Sequence, residues 1–119
     1  MFDEILREVV EQTDGAMASV LMGFDGITVD SYMGNGAGPN VETVGSEYSV
    51  VLSQVREAAQ MLELGAAEEV AVQAENMTTV IRLLNDEYFV AMTVAPHGNF
   101  GKARYLLRLN APKLIESLS

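Results

Sequence analysis

Residues 69–94 read EVAVQAENMTTVIRLLNDEYFVAMTV. Three β-prone runs, 69–75, 78–84 and 87–94, are separated only by Asn76-Met77 and Asn85-Asp86, and connections so short make successive strands antiparallel neighbours. The second and third runs, Val80-Ile81-Arg82-Leu83-Leu84 and Tyr88-Phe89-Val90-Ala91-Met92-Thr93-Val94, are almost continuously apolar. Strands of that pattern are covered on both faces, so helices must lie on both sides of the sheet. The first run differs. Val70-Ala71-Val72-Gln73-Ala74 is short and β-prone, and it lacks the Lys or Pro that commonly guards an open sheet edge.

Upstream, residues 41–64 carry apolar side chains at Val41, Val44, Tyr48, Val51, Val55, Ala58 or Ala59, and Leu62, in steps of three and four. That spacing predicts one long helix ending at Gly65, with this stripe toward the sheet. A second stripe, Ser46, Val50, Ser53, Gln54, Glu57 and Met61, is less polar than a purely solvated face requires. Before the helix, the glycine-rich residues 34–40 form a loop whose last member, Asn40, suits an N-cap. Residues 16–23 and 27–33 are two apolar runs joined by Phe24-Asp25-Gly26, a hairpin signal because Gly adopts the positive φ of a tight turn without strain. An amphipathic helix of about a dozen residues precedes them and stops at Asp14-Gly15. Downstream, residues 102–118 are helical in pattern, and Pro112 predicts a kink or restart near Asn110.

The expected architecture is a single α/β (α+β) sandwich spanning residues 1–119, of order α-β-β-α-β-β-β-α. Its five-stranded antiparallel sheet carries the long middle helix on one face and both terminal helices on the other.

Composition narrows the function. Seventeen carboxylates against seven Lys and Arg give a net charge of −10, which repels phosphate backbones and anionic lipid, so neither nucleic acid nor membrane is an expected partner. The chain has no Cys and one His, which excludes disulfide frameworks and thiolate metal sites. With an acidic N-terminus and no apolar run near the ~20 residues that span a bilayer, the expected location is the cytoplasm.

The candidate chemical motifs give no catalytic, cofactor or metal site. Gly34-Asn35-Gly36-Ala37-Gly38 has the form GxGxG and lacks both the dinucleotide fingerprint and the Lys of a Walker loop; Glu42 and Glu47 would also oppose a phosphate there. Asp25, Asp30, Glu42 and Glu47 do not follow calcium-loop order. His97, beside Gly98-Asn99, reads as a turn residue with no nucleophile to serve. Of the seven Met, Met17, Met22, Met33 and Met92 fall in strand patterns and are expected in the core, whereas Met61 and Met77 stand apart. Arg56, Arg104 and Arg108 are available for partner carboxylates or for local ion pairs worth ~0–1 kcal/mol.

The order of elements, the hairpin Gly23-Phe24-Asp25-Gly26-Ile27 opening Ile27-Thr28-Val29-Asp30, the Ala- and Glu-rich helix ending in Leu64-Gly65, and Asn99-Phe100-Gly101-Lys102-Ala103-Arg104 together resemble the roadblock family, the dynein-light-chain relatives that include bacterial MglB-type proteins. The resemblance implies a homodimer in which the long helices pair and the third strands join into one sheet. It places the interface at Ser46, Val50, Ser53, Gln54, Glu57 and Met61 of the helix and at Val70, Ala71, Val72, Gln73 and Ala74 of the strand. It further implies a non-catalytic regulator that docks a Ras-like small GTPase and modulates its hydrolysis or localisation, with Arg56 and Met77 as docking candidates. A profilin-like or PAS-like small-molecule sensor is the competing reading, and it requires a pocket between the sheet and the long helix.

Overall fold

The computed structural model describes residues 2–34 and 38–119. Positions 35–37 of the glycine-rich loop, which carry the middle of the GxGxG motif, lie outside the described residues.

The elements follow the expected order: α1 (Phe2–Glu11), β1 (Ala16–Gly23), β2 (Thr28–Met33), α2 (Val41–Met61), β3 (Glu69–Gln73), β4 (Thr78–Leu83), β5 (Tyr88–Val94) and α3 (Phe100–Leu118). The strands form one sheet in the order β2-β1-β5-β4-β3, and every pairing is antiparallel. The tight connections place β3 beside β4 and β4 beside β5, while β1 enters between β5 and β2. The hairpin turn between β1 and β2 is made as its sequence requires. Gly26 takes φ +86°, its N–H donates to Gly23 O at 2.9 Å, and Asp25 Oδ1 accepts from the Ile27 N–H at 3.0 Å.

Two apolar layers sandwich the sheet. On one side Leu6, Val9 and Val10 of α1 and Ala103, Leu106, Leu107 and Leu114 of α3 pack on Leu21, Val80, Val90, Met92 and Val94. On the other, Val41 and Leu52 of α2 pack on Ala18, Val20, Met22, Ile81, Phe89 and Ala91. Residues of β4 and β5 alternate between these layers and are buried almost throughout, as their continuous apolar runs require. Ser19, fully buried between apolar neighbours, is satisfied by donating to Leu6 O at 2.8 Å, so it carries no unpaired-donor penalty.

Three expectations need correction. The face that α2 turns to the sheet is rotated from the expected stripe: Gly45, Ser49 and Leu52 are buried with Val41, whereas Val51 and Leu62 are 46% and 67% exposed. The cause is steric. A Cβ on Gly45 would lie 3.1 Å from the Met22 sulfur and 3.3 Å from Val20 Cγ1, so the helix approaches β1 through its smallest residues.

The same helix ends at Met61, earlier than expected, because Glu63 adopts φ 57°. Leu64 N–H then donates to Ala59 O at 2.9 Å and Glu63 N–H to Gln60 O at 3.1 Å, which is a Schellman cap with Glu where Gly is usual. Finally, α3 continues as helix through Pro112 without a restart. Two core assignments also fail: Met33, on edge strand β2, is 47% exposed and Met17 is only half-buried, whereas Met22 and Met92 are fully buried.

Candidate partner-docking surfaces

Hydrogen-bond parity decides what the edge strand β3 offers. Leu83 N–H donates to Glu68 O at 2.9 Å and Ala74 N–H to Met77 O at 3.0 Å, at opposite ends of the β3–β4 ladder. Bonded pairs in an antiparallel ladder recur at every second residue. Val70 and Val72, opposite Ile81 and Thr79, therefore turn their N–H and C=O toward β4. Glu69, Ala71 and Gln73 turn theirs outward, where the sheet ends.

The opposite edge is built differently. Gly34 N–H donates to Met17 O at 2.8 Å, and the same parity leaves Ser31 and Met33 of β2 facing out. The Ser31 N–H is taken by Asp30 Oδ1 at 2.8 Å, so a carboxylate stoppers one of the outward donors of that edge. Among the described residues no side chain does the same for Ala71 or Gln73.

The expected interface residues of α2, namely Ser46, Val50, Ser53, Gln54, Glu57 and Met61, are all exposed; Val50 is 64% and Met61 76% exposed. The structure adds Val51, Leu62 and Leu64 to this surface. Glu42 is tied to β2, accepting from Thr28 Oγ1 at 3.3 Å and Ser31 Oγ at 3.0 Å. Val51, nine residues on at about 100° each, points half a turn away and looks out from the flank turned away from β2. Because α2 packs chiefly on β1, with smaller contacts to β2 and β5, the same side of β3 is left as a shelf on which Val70 and Val72 are half-buried. Ala74 lies just past β3, held in its turn by the bond to Met77 O.

The two docking candidates are placed apart. Met77 is half-buried in the β3–β4 turn. Arg56 lies over the Phe24 ring with its guanidinium carbon 4.1 Å from the centroid, and its Nη2 is 3.7 Å from Asp86 Oδ1. It is a pre-positioned flat cation at the end of the sheet. On the other face, Arg104 donates through Nε at 2.8 Å and Nη2 at 2.6 Å to one oxygen of Glu69, fastening α3 to β3. That hydrogen bond, with the adjacent negative charge, raises the Arg104 pKa above its ordinary value. His97 is exposed in the turn between β5 and α3.

The core between α2 and the sheet is filled, with Val20, Met22, Leu52, Phe89 and Ala91 each at most 1% exposed. A cleft of about 870 Å³ lies elsewhere, beyond the end of the sheet between α2, the β4–β5 turn and α3.

An antiparallel sheet in this order, with a single long helix on one face and both terminal helices on the other, defines an α/β sandwich of the roadblock type. No family model matches the chain, and no curated protein does. Among solved structures, MglC from Myxococcus xanthus is 41% identical, with 98% of each chain covered and a TM-score of 0.71. The MglB gliding protein from Thermus thermophilus is 16% identical over 96% of this chain and 85% of its own, with a TM-score of 0.84. A Roadblock/LC7 domain from Streptomyces avermitilis is 15% identical over 98% and 96%, with a TM-score of 0.83. The chain belongs to the roadblock family, alongside the bacterial Mgl proteins.

Proposed function

We propose that this chain is a non-catalytic regulatory module that pairs with a second copy of itself and docks a small Ras-like GTPase, altering its hydrolysis rate or its placement. The observation that carries the reading is the uncapped outward edge of β3, beside a helix whose apolar flank has no cover in the single chain. A two-fold axis at that edge satisfies Glu69, Ala71 and Gln73 of both copies, and it lets α2 of one copy rest against α2 and the shelf of the other. Val50, Val51, Met61, Leu62 and Leu64, exposed in the single chain, are then removed from water at about 25 cal/mol per Å² of apolar area.

Family resemblance supplies the partner, and the acidic surface suits a basic patch on that partner. Arg56 and Met77 are the docking residues of this reading. The filled interior between α2 and the sheet weighs against a small-molecule sensor. Light scattering on the purified chain is expected to give twice its mass of 12.9 kDa. Mixed with a Ras-like GTPase encoded beside it, the dimer is expected to co-elute with the GTP-loaded form. A persistent monomer, or failure to co-elute with any such GTPase, overturns the proposal.

A further inference from the structure

Charge is distributed unevenly along this chain. The segment 100–119 carries four cations, Lys102, Arg104, Arg108 and Lys113, against one carboxylate, Glu116, whereas residues 1–99 carry three cations against sixteen carboxylates. Two of those three, Arg56 and Arg82, lie with Arg108 on the lining of the cleft of about 870 Å³. They arrive from three different elements: Arg56 from α2, Arg82 from β4 and Arg108 from α3. Chain folding thus gathers cations from positions far apart in sequence into one hollow of a strongly acidic protein.

Their pairing is incomplete. Arg82 is half-buried and has no ion pair or side-chain hydrogen bond among the described residues. Arg108 has only the Tyr105 ring, 5.9 Å from its guanidinium carbon. Arg56 faces Asp86 at 3.7 Å, and the Asp86 side chain is fully in water, so that pair is weak and easily exchanged. Two carboxylates, Glu68 and Asp86, share the lining, so cations still outnumber them. A guanidinium drawn partly out of water without a partner is costly to hold, and an incoming carboxylate recovers that cost through bidentate hydrogen bonds. The lining also contains aliphatic side chains, among them Ala67, Leu84, Ala111 and Ile115.

We propose that this cleft is a docking site for an acidic segment of a partner protein, one that alternates carboxylates with aliphatic side chains. A peptide fits these observations better than a small anion does. The cations come from separate elements and share the lining with aliphatic side chains, whereas a small-anion site converges its donors on one point. The site shares Arg56 with the GTPase-docking reading, and Arg82 and Arg108, which that reading does not use, distinguish the two. It uses the flank of α2 that bears Arg56 and Gln60, which borders the stripe assigned to self-pairing at Ser53.

The test is fluorescence anisotropy with a labelled peptide of alternating Glu and Leu, and the matching Gln and Leu peptide as control, at low and at physiological salt. The Glu peptide is expected to bind and the Gln peptide not to, with affinity falling as salt rises. The double variant Arg82→Gln/Arg108→Gln is expected to lose at least about tenfold in affinity. Lys102→Gln/Lys113→Gln, which removes the same charge outside the cleft, is expected to change it less than about threefold. Circular dichroism checks that each variant is folded, and Arg108→Gln alone, at an exposed position, serves if the double variant is not. Equal loss from both double variants, no loss from the cleft variant, or displacement of the peptide by equimolar inorganic phosphate each overturns the proposal.

Discussion

If two copies join through β3, the outward N–H of Ala71 is a donor at that joint, and proline at this position removes it selectively. Pro is tolerated on an edge strand where the N–H faces away from the sheet, and parity places the Ala71 N–H on that side. The β3–β4 ladder, bonded through Val70 and Val72, keeps all its donors. A symmetric joint contains two copies of residue 71, so Ala71→Pro deletes two donors and strands two carbonyls. Each stranded group costs about 1–3 kcal/mol; the joint therefore loses about 2–6 kcal/mol, a rise of about 30-fold to 10⁴-fold in the dimer dissociation constant. Val72→Pro is the control, because it deletes a bond toward Thr79 and costs about 1–3 kcal/mol of fold stability instead. Sedimentation equilibrium reads the association and thermal melting reads the fold. Ala71→Pro is expected to give a folded monomer at concentrations where the parent chain is a dimer. An Ala71→Pro protein that dimerises as tightly as the parent refutes the edge joint, and one that melts as early as Val72→Pro refutes the parity.

Other substitutions probe the remaining parts. Val72→Lys places a charge on the shelf of β3 and is expected to weaken self-association while leaving the monomer folded, as seen by light scattering and circular dichroism. Glu63→Gly relieves the left-handed backbone at the end of α2 and is expected to raise unfolding free energy by about 1 kcal/mol in urea titration. Gly45→Leu forces a side chain into Met22 and Val20 and should cost about 1–3 kcal/mol, with a lower melting temperature. Leu52→Ala, which empties a site 1% exposed, is expected to cost about 2–5 kcal/mol by the same titration.

The sheet was legible in the sequence because its signals are local. Gly26 specifies the first hairpin, short connections specify the others, though the turn between β4 and β5 takes three residues, Asn85 to Glu87, and uninterrupted apolar runs in β4 and β5 report cover on both faces. The rotation of α2 was not legible, because counting apolar residues gives no weight to Gly45 and Ser49, the two that let the helix come close. Nor could sequence show which edge amides point outward. That depends on the register of β3 against β4, set by pairs such as Ala71 with Val80, and a one-residue slip would reverse it. The arginine cleft was equally hidden, since Arg56, Arg82 and Arg108 lie 26 residues apart in sequence and converge only once α2, β4 and α3 are packed. Arg56 itself stood out in the sequence, but its stacking on Phe24 did not.

Asp30 bears on how far a proposed assembly of copies could grow. A sheet receptive at both margins adds copies at either end and lengthens into a fibre, as any head-to-tail contact does when its rotation fails to close. Here the side chain of Asp30 occupies the Ser31 N–H and adds a negative charge to that margin, which makes it the less receptive of the two. If copies join through β3 about a two-fold axis, that edge is consumed in both molecules at once and the product is finite. In that arrangement a carboxylate on the far side of the molecule helps to keep the assembly small.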